Sequence, residues 1–176
     1  MPIINTDVVK RLSVTTGSAG DTVAGTPAGS LGKYVSTTAI TDATAGNLFD
    51  DVSGAEAAAG STEYRCLFIL NNHATLTLYA STITVQSETA GGGAITIALD
   101  NIAAAAKGGA GAQAATIASE TSTPSGVGAF GAGPLAIGDL APGQVKGVWL
   151  KRVVTAGAAA LNPDGVILRV AGDTLP

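Results

Sequence analysis

Charge is the scarcest property of this 176-residue chain. Only 12% of the residues are Asp, Glu, Lys or Arg, aromatic residues make up 4%, and the formal net charge is −4. Nucleic-acid binding calls for clustered Lys and Arg, whereas the nine basic residues are scattered, so we expect no nucleic-acid partner. The chain is nevertheless 46% apolar. That excludes disorder as a whole-chain interpretation, because disordered chains are poor in apolar residues and rich in net charge.

Cysteine and histidine occur once each, as Cys66 and His73. A single cysteine excludes an intramolecular disulfide and a multi-cysteine metal site. A nucleophile and base pair would need His73 as the base, with Cys66 or a serine as the nucleophile, and no local motif supports that geometry. We therefore predict a buried thiol, a histidine in an exposed turn, no catalytic residue and no enzymatic activity.

Long apolar runs are also missing. No stretch approaches the ~20 apolar residues of a membrane-spanning helix, and the chain does not open with the basic segment and apolar core of a secretory signal. We expect no membrane partner and synthesis in the cytoplasm. A surface with so little charge is poorly suited to a dispersed monomer, which favours a protein that is buried in an assembly.

Alternating apolar and polar residues predict most of the strands. The strongest run is 62–70, where one face is apolar throughout and the other becomes apolar toward the end, as in a central strand covered on both sides. We expect this run and the next to form a hairpin or a sheet-to-sheet corner, and the last two strands to pair with each other. The further strands are predicted at 74–86 with a kink near Ala80, 95–99, 135–140, 144–154 and 166–170.

Strands separated by Gly, Pro and Asn turns, without a convincing amphipathic helix, predict an all-β fold. We expect an antiparallel β-sandwich with immunoglobulin-like or jelly-roll connections. Residues 1–45 are polar and rich in Gly and Thr, so they are expected to form an extended N-terminal arm with short strands that becomes ordered on a partner. Residues 46–176 then form the sandwich domain. Within it, 53–60 is predicted to be a loop, and 102–107 either a helical turn or a flexible loop.

The remaining polar residues predict no metal and no cofactor. Asp50 and Asp51 are adjacent, and adjacent residues on a strand point to opposite faces. Asp42 and Asp100 lie beside no oxygen-rich loop of the calcium-binding type, and residues 162–165, which include Asp164, are predicted to form a turn.

Two glycine runs and four aromatic residues are candidate binding elements. The runs at 91–93 and 108–111 lack the sequence and strand-to-helix context of a phosphate-binding loop, so we predict ordinary loops. The aromatics are too few and too dispersed for a sugar-binding platform, so we predict core or interface positions. They are Trp149, Tyr34, Tyr64 and Tyr79.

Four segments of the sequence form a recognisable pattern: DVSGAEAAAGSTEYRC (51–66), NNHATLTL (71–78), GDLAPGQ (138–144) and VWLKR (148–152). This pattern resembles tailed-phage virion structural proteins. The resemblance covers roughly residues 50–174 and carries no catalytic signature.

This resemblance implies a head decoration (cement) protein. Such a protein would bridge major capsid subunits as a dimer or trimer on the capsid exterior, after synthesis in the host cytoplasm. Its expected partners are the major capsid protein and copies of itself. The alternatives are a tail, neck or fibre-associated structural protein and, less favoured, a carbohydrate-binding module.

Overall fold

The structure is a computed structural model that describes residues 2–109, 113–159, 161 and 164–174. Within these ranges the chain forms nine strands, a 3-10 turn at Asn5–Asp7 and one short α-helix. In chain order the elements are β1 (Val8–Val14), β2 (Tyr34–Ala39), α1 (Gly54–Ala59), β3 (Ser61–Asn71), β4 (Leu78–Glu88), β5 (Ala94–Leu99), β6 (Ala105–Ala106), β7 (Leu135–Leu140), β8 (Gln144–Val154) and β9 (Val166–Asp173).

The strands make two antiparallel sheets that pack together. The larger sheet has the order β2-β1-β3-β8-β5, with the short β6 also paired to β8, and the smaller sheet has the order β7-β4-β9. The alternating pattern explains the packing, since one face of each strand contributes to a common apolar layer. An antiparallel β-sandwich is thereby confirmed at the level of two packed sheets.

The core between the sheets is aliphatic. Leu67 and Ile69 of β3 and Val148 and Leu150 of β8 face Ile83 of β4 across this layer. Their side chains are almost completely excluded from solvent, and burying each such side chain stabilises the fold by roughly 1.5–3 kcal/mol.

Loops cover the opposite face of the larger sheet. This second apolar cluster contains Cys66, Phe68 and Trp149 from the sheet, and Leu31 and Ile117 from two loops that lie over them. The loops are joined by backbone hydrogen bonds, for example from the Ile117 N–H to the Leu31 carbonyl (3.1 Å). Residues 63–71 of β3 are consequently buried throughout, which confirms the prediction of a central strand covered on both sides.

Glycine allows the loops to approach the sheet and each other this closely. A Cβ at Gly32, where φ is +95°, would lie 1.8 Å from the carbonyl oxygen of Ala115. A Cβ at Gly20 would lie 2.2 Å from the carbonyl oxygen of Lys107. Both distances are far inside van der Waals contact, so a larger residue would force the backbones apart.

The expected N-terminal arm is not evident in the structure. β1 is an internal strand of the larger sheet, paired with β2 on one side and β3 on the other, and Leu12 and Val35 are buried. The many glycines between these strands suggested a chain unable to order itself. They instead form tight turns in the loop layer, for example at Gly17, where φ is +99°.

Three local expectations also need correction. Residues 54–59 are helical rather than a loop, because Ser53 and Glu56 form a reciprocal capping box. β9 pairs with β4 and not with β8, because alternation identifies a strand's buried face but not its neighbour. Residues 105–106 form a short strand beside β8, whereas 102–107 were expected to be a helical turn or a flexible loop.

Other details agree with the sequence predictions. The register of β4 shifts between Leu78 and Ser81, where Ala80 has φ 46°, which confirms the kink. β3 and β4 belong to different sheets and thus form a corner rather than a hairpin. One of the Pro and Gly turns between strands lies at 141–144, where Gly143 has φ 74° and the Gln144 N–H donates to the Ala141 carbonyl (3.0 Å), the geometry of a type II turn.

Candidate interaction surfaces and the placement of the predicted site residues

Cys66 and His73 are not hydrogen-bonded to each other. Cys66 is completely buried, and this burial raises the pKa of its thiol well above the usual range, so the thiol is protonated and inaccessible at neutral pH. His73 lies in the turn between β3 and β4, where its Nδ1 accepts hydrogen bonds from the backbone N–H groups of Thr75 (3.1 Å) and Leu76 (3.0 Å). The buried thiol is confirmed, and His73 lies in the predicted turn, where it is half-buried rather than exposed and holds the turn through these hydrogen bonds.

Sequence reasoning missed a buried ionic cluster at one end of the larger sheet. Arg152 donates from Nε to Glu63 (3.0 Å) and from Nη1 to the backbone carbonyl of Asp50 (2.6 Å), and Arg65 pairs with Glu120. Arg65 and Glu63 are each 1% exposed. Burial raises the pKa of Glu63, although the charge and hydrogen bond of Arg152 act in the opposite direction. Cross-strand charge pairing of this kind leaves no periodic signal in the sequence.

The cluster holds a loop onto the sheet. Phe49 lies against both guanidinium groups, with its ring centroid 4.7 Å from Arg152 and 5.7 Å from Arg65. An open groove of about 410 Å³ lies beside Arg65 and is also lined by Asp50 and Asp51. These two acids lie in the loop before α1, not on a strand. Because both arginines are already paired, the arrangement offers a ligand no free buried charge.

Asp100 is the centre of a second buried polar group, and its role was also missed. Its carboxylate accepts hydrogen bonds from Trp149 Nε1 (3.0 Å) and from the backbone N–H groups of Ala115 (2.6 Å) and Ile102 (2.9 Å). Lys146 is nearby and donates to the carbonyl of Ile102, and burial lowers the pKa of this lysine. The carboxylate thus ties the loop layer to β8.

The aromatic residues confirm the core prediction for three of the four positions. Trp149 is completely buried, and Tyr34 and Tyr64 are 6–7% exposed, so none of these rings presents a face to a sugar. Tyr79 is half-buried on β4.

The glycine runs that the structure describes are turns. Gly93 donates its backbone N–H to Asp164 (2.8 Å), which anchors the turn at 91–93. Gly109 donates to the carbonyl of Ala106 (2.8 Å). Residues 110–111 of the second run, and 162–163 of the predicted turn at 162–165, lie outside the described residues. Asp42 is exposed and lies 3.8 Å from Lys10.

Neither a metal cluster nor a spanning helix occurs in the part of the chain that the structure describes. No three His, Cys, Asp or Glu side chains there lie close enough together to hold a metal ion. No helix in those ranges is long and apolar enough to cross a membrane.

The outward face of the smaller sheet, here called the outer face, is exposed at Ala136 of β7 and at Arg169 and Ala171 of β9. Its pairing places Thr82 between Ala136 and Ala171, and Thr84 beside Arg169. These side chains point away from the core, because their neighbours Ile83, Leu135 and Val170 belong to the apolar layer. The row formed by Ala136, Thr82 and Ala171 across the outer face therefore carries small uncharged side chains, a property that suits contact with another protein. Arg169 and Asp173 of β9 place charges at one edge of the face.

Comparisons with protein-family models, with curated proteins and with solved structures found no match.

Proposed function

We propose that the chain is a bacteriophage capsid decoration (cement) protein, which stabilises the head by bridging major capsid subunits. The observation that carries this proposal is the row of small uncharged side chains, Ala136, Thr82 and Ala171, across the exposed outer face of a chain with only 12% charged residues. Interface cores are depleted of charge relative to the rest of a protein surface. The resemblance of residues 50–174 to tailed-phage virion proteins supplies the kind of assembly.

The strand order favours the jelly-roll alternative for the sandwich. β3, β4 and β5 alternate between the two sheets, and β3 pairs with β8 while β4 pairs with β7. The pairing is nested, because the β4–β7 pair lies between β3 and β8 in the chain while the two pairs belong to different sheets. A jelly roll has this arrangement, in which a long two-stranded antiparallel ribbon folds into two packed sheets. Jelly rolls occur in viral capsid and lectin domains, so the fold is compatible with the proposal but does not select it.

The absence of an evident arm moves the proposed attachment site. Residues 8–14 and 34–39 pair with each other as strands of the larger sheet, so they are not available as an arm that wraps around capsid subunits. We therefore assign capsid attachment to the outer face. Burial also weakens the carbohydrate-binding alternative, because the faces of Trp149, Tyr34 and Tyr64 are inaccessible.

The test is occupancy on capsids that lack the protein, compared for two matched variants. Ala136→Glu places a charge on the outer face, and Ala55→Glu places the same charge on the exposed side of α1. Burying an unpaired carboxylate is costly, so Ala136→Glu should lower the affinity for capsids by at least about tenfold, while Ala55→Glu should bind as the wild type does.

Equal binding of the two variants would exclude the outer face as the attachment site. Copy number in the virion then decides the kind of component. Hundreds of copies on the capsid lattice support a decoration protein, whereas a few copies, or stacked rings, would identify a tail or neck component instead.

A further inference from the structure

We propose that β9 pairs with β9 of a second copy of the chain, in an antiparallel contact that joins the two smaller sheets into one. This inference deepens the proposed function, since it names the surface through which copies of the protein meet. The observations that carry it are the state of the four sheet edges, a groove beside β9, and the charges along the strand.

The two edges of the larger sheet are covered by loops. At β2, Asp21 donates its backbone N–H to the carbonyl of Val35 (2.8 Å), and Thr37 donates to the carbonyl of Val23 (2.9 Å). At β5, Ile97 exchanges two backbone hydrogen bonds with Gly131 (2.8 and 3.0 Å). These backbone groups are therefore unavailable to a second chain.

The two edges of the smaller sheet differ from each other. β7 follows Pro134 and contains a bulge, since the consecutive residues Ser81 and Thr82 of β4 pair with Gly138 and Ala136 of β7 and leave the residue between them unpaired. A proline and a bulge both disfavour the pairing of a further strand with a sheet edge. β9 contains no proline, and the irregularities of its ladder lie on β4, so β9 itself is regular. No loop of the described chain forms backbone hydrogen bonds along its outer edge.

A groove gives access to this edge. It has a volume of about 320 Å³, runs beside β9 from Arg169 to Thr174, and is walled by Ile3, Ile4 and Val8. Ile4 is 55% exposed. An added strand would therefore gain backbone hydrogen bonds from β9 and apolar contact from the N-terminal segment, as in recognition by strand addition.

The charges on β9 are self-complementary in one register. Arg169 and Asp173 share the outer face and are both exposed, and neither forms an ion pair with another described residue. A two-fold axis through Ala171 places Arg169 of each copy opposite Asp173 of the other, which gives two cross-strand ion pairs. In this register residues 168–174 of the two copies would pair, and most of these residues line the groove.

Neighbouring registers are less favourable. An axis through Arg169 would place the two arginines opposite each other, and like charges directly opposite are destabilising. An axis through Val170 would place Asp173 opposite Ile167. The charge pattern therefore selects a second copy, in the register centred on Ala171.

The first test is disulfide cross-linking of the purified protein. Residues opposite each other in an antiparallel pair have Cα atoms about 4.5–5.5 Å apart, within the range that a disulfide spans, so Ala171→Cys should form a covalent dimer with oxidised glutathione. Ala136→Cys, an exposed alanine at the other edge of the same sheet, is the matched control and should remain monomeric. The native Cys66 is completely buried and should not react. Failure of Ala171→Cys to cross-link, or equal cross-linking at position 136, would overturn the proposal.

The second test reverses the charges. Arg169→Asp should raise the dimer dissociation constant, measured by sedimentation velocity, by about tenfold or more. The double variant Arg169→Asp/Asp173→Arg recreates both ion pairs and should return the constant to within about threefold of the wild-type value. A double variant as weak as the single one would refute the register.

These measurements use isolated protein, so they are separate from the capsid test. Capsid occupancy without β9 cross-linking would refute the edge contact alone. Cross-linking without capsid occupancy would refute the proposed function alone.

Discussion

Replacing Leu12 with alanine tests whether β1 belongs to the folded sheet in the isolated protein. Leu12 is 3% exposed, pairs with Leu67 and packs in the core between the sheets. Truncation of such a leucine removes its transfer free energy and leaves a cavity, so we expect a loss of about 3 kcal/mol in the free energy of unfolding. An arm that orders only on a partner would lose nothing.

Urea denaturation followed by far-ultraviolet circular dichroism measures this loss. With a denaturant dependence of roughly 2 kcal/mol per molar urea, the transition midpoint should fall by about 1.5 M. Leu161→Ala is the control, because Leu161 is 41% exposed and its truncation should cost less than about 1 kcal/mol. Equal midpoints for the two variants would show that β1 does not contribute to the stability of the isolated chain.

Three further predictions concern Asp100, Cys66 and Asp21. Asp100→Asn should lower the free energy of unfolding by about 2–3 kcal/mol, because the amide offers one acceptor atom to three donors; an unchanged urea midpoint would contradict this. Cys66→Ser should fold at a cost of about 1–3 kcal/mol, and an intermolecular disulfide in the wild type together with an unfolded variant would show that the thiol has another role. Burial alone would raise the pKa of Asp21, but hydrogen bonds and charges from Lys107 and Arg11 outweigh it and hold the pKa below its usual 3.8. Its folded-state pKa is therefore depressed, so its stabilising contribution is present above pH 3.8 and is lost as the pH falls further. The difference in unfolding free energy between wild type and Asp21→Asn should shrink over that acidic range, and a constant difference would argue against the ion pairs.

The strands were predictable because alternation is a local signal. The core strand β3 and the long strand β8 follow directly from their side-chain pattern. Their partners were not predictable, since pairing depends on contacts between residues far apart in the sequence. β9 illustrates this, because its apolar face was identified correctly and its neighbour incorrectly.

The buried ions show a second limit of the sequence analysis. Glu63 and Arg65 make one face of β3 polar where the strand begins, and the sequence did not indicate their partners. Both are buried because Arg152 and Glu120 neutralise them from other elements. The N-terminal glycines misled for a related reason. Their frequency excludes a helix, but it does not distinguish a disordered segment from loops that pack tightly on a sheet.

The close approach at Gly20 and Gly32 bears on how this sequence can change over evolutionary time. Loops ordinarily accept substitutions and insertions more readily than strands do. Here the loops form one wall of the core, and any side chain at Gly32 would meet the Ala115 carbonyl at 1.8 Å. Substitutions should therefore be accepted more readily in the strands of the outer face than in these loops. In a library of random variants selected for folding alone, Thr82 and Thr84 on the outer face should vary freely, while Gly20 and Gly32 should stay fixed.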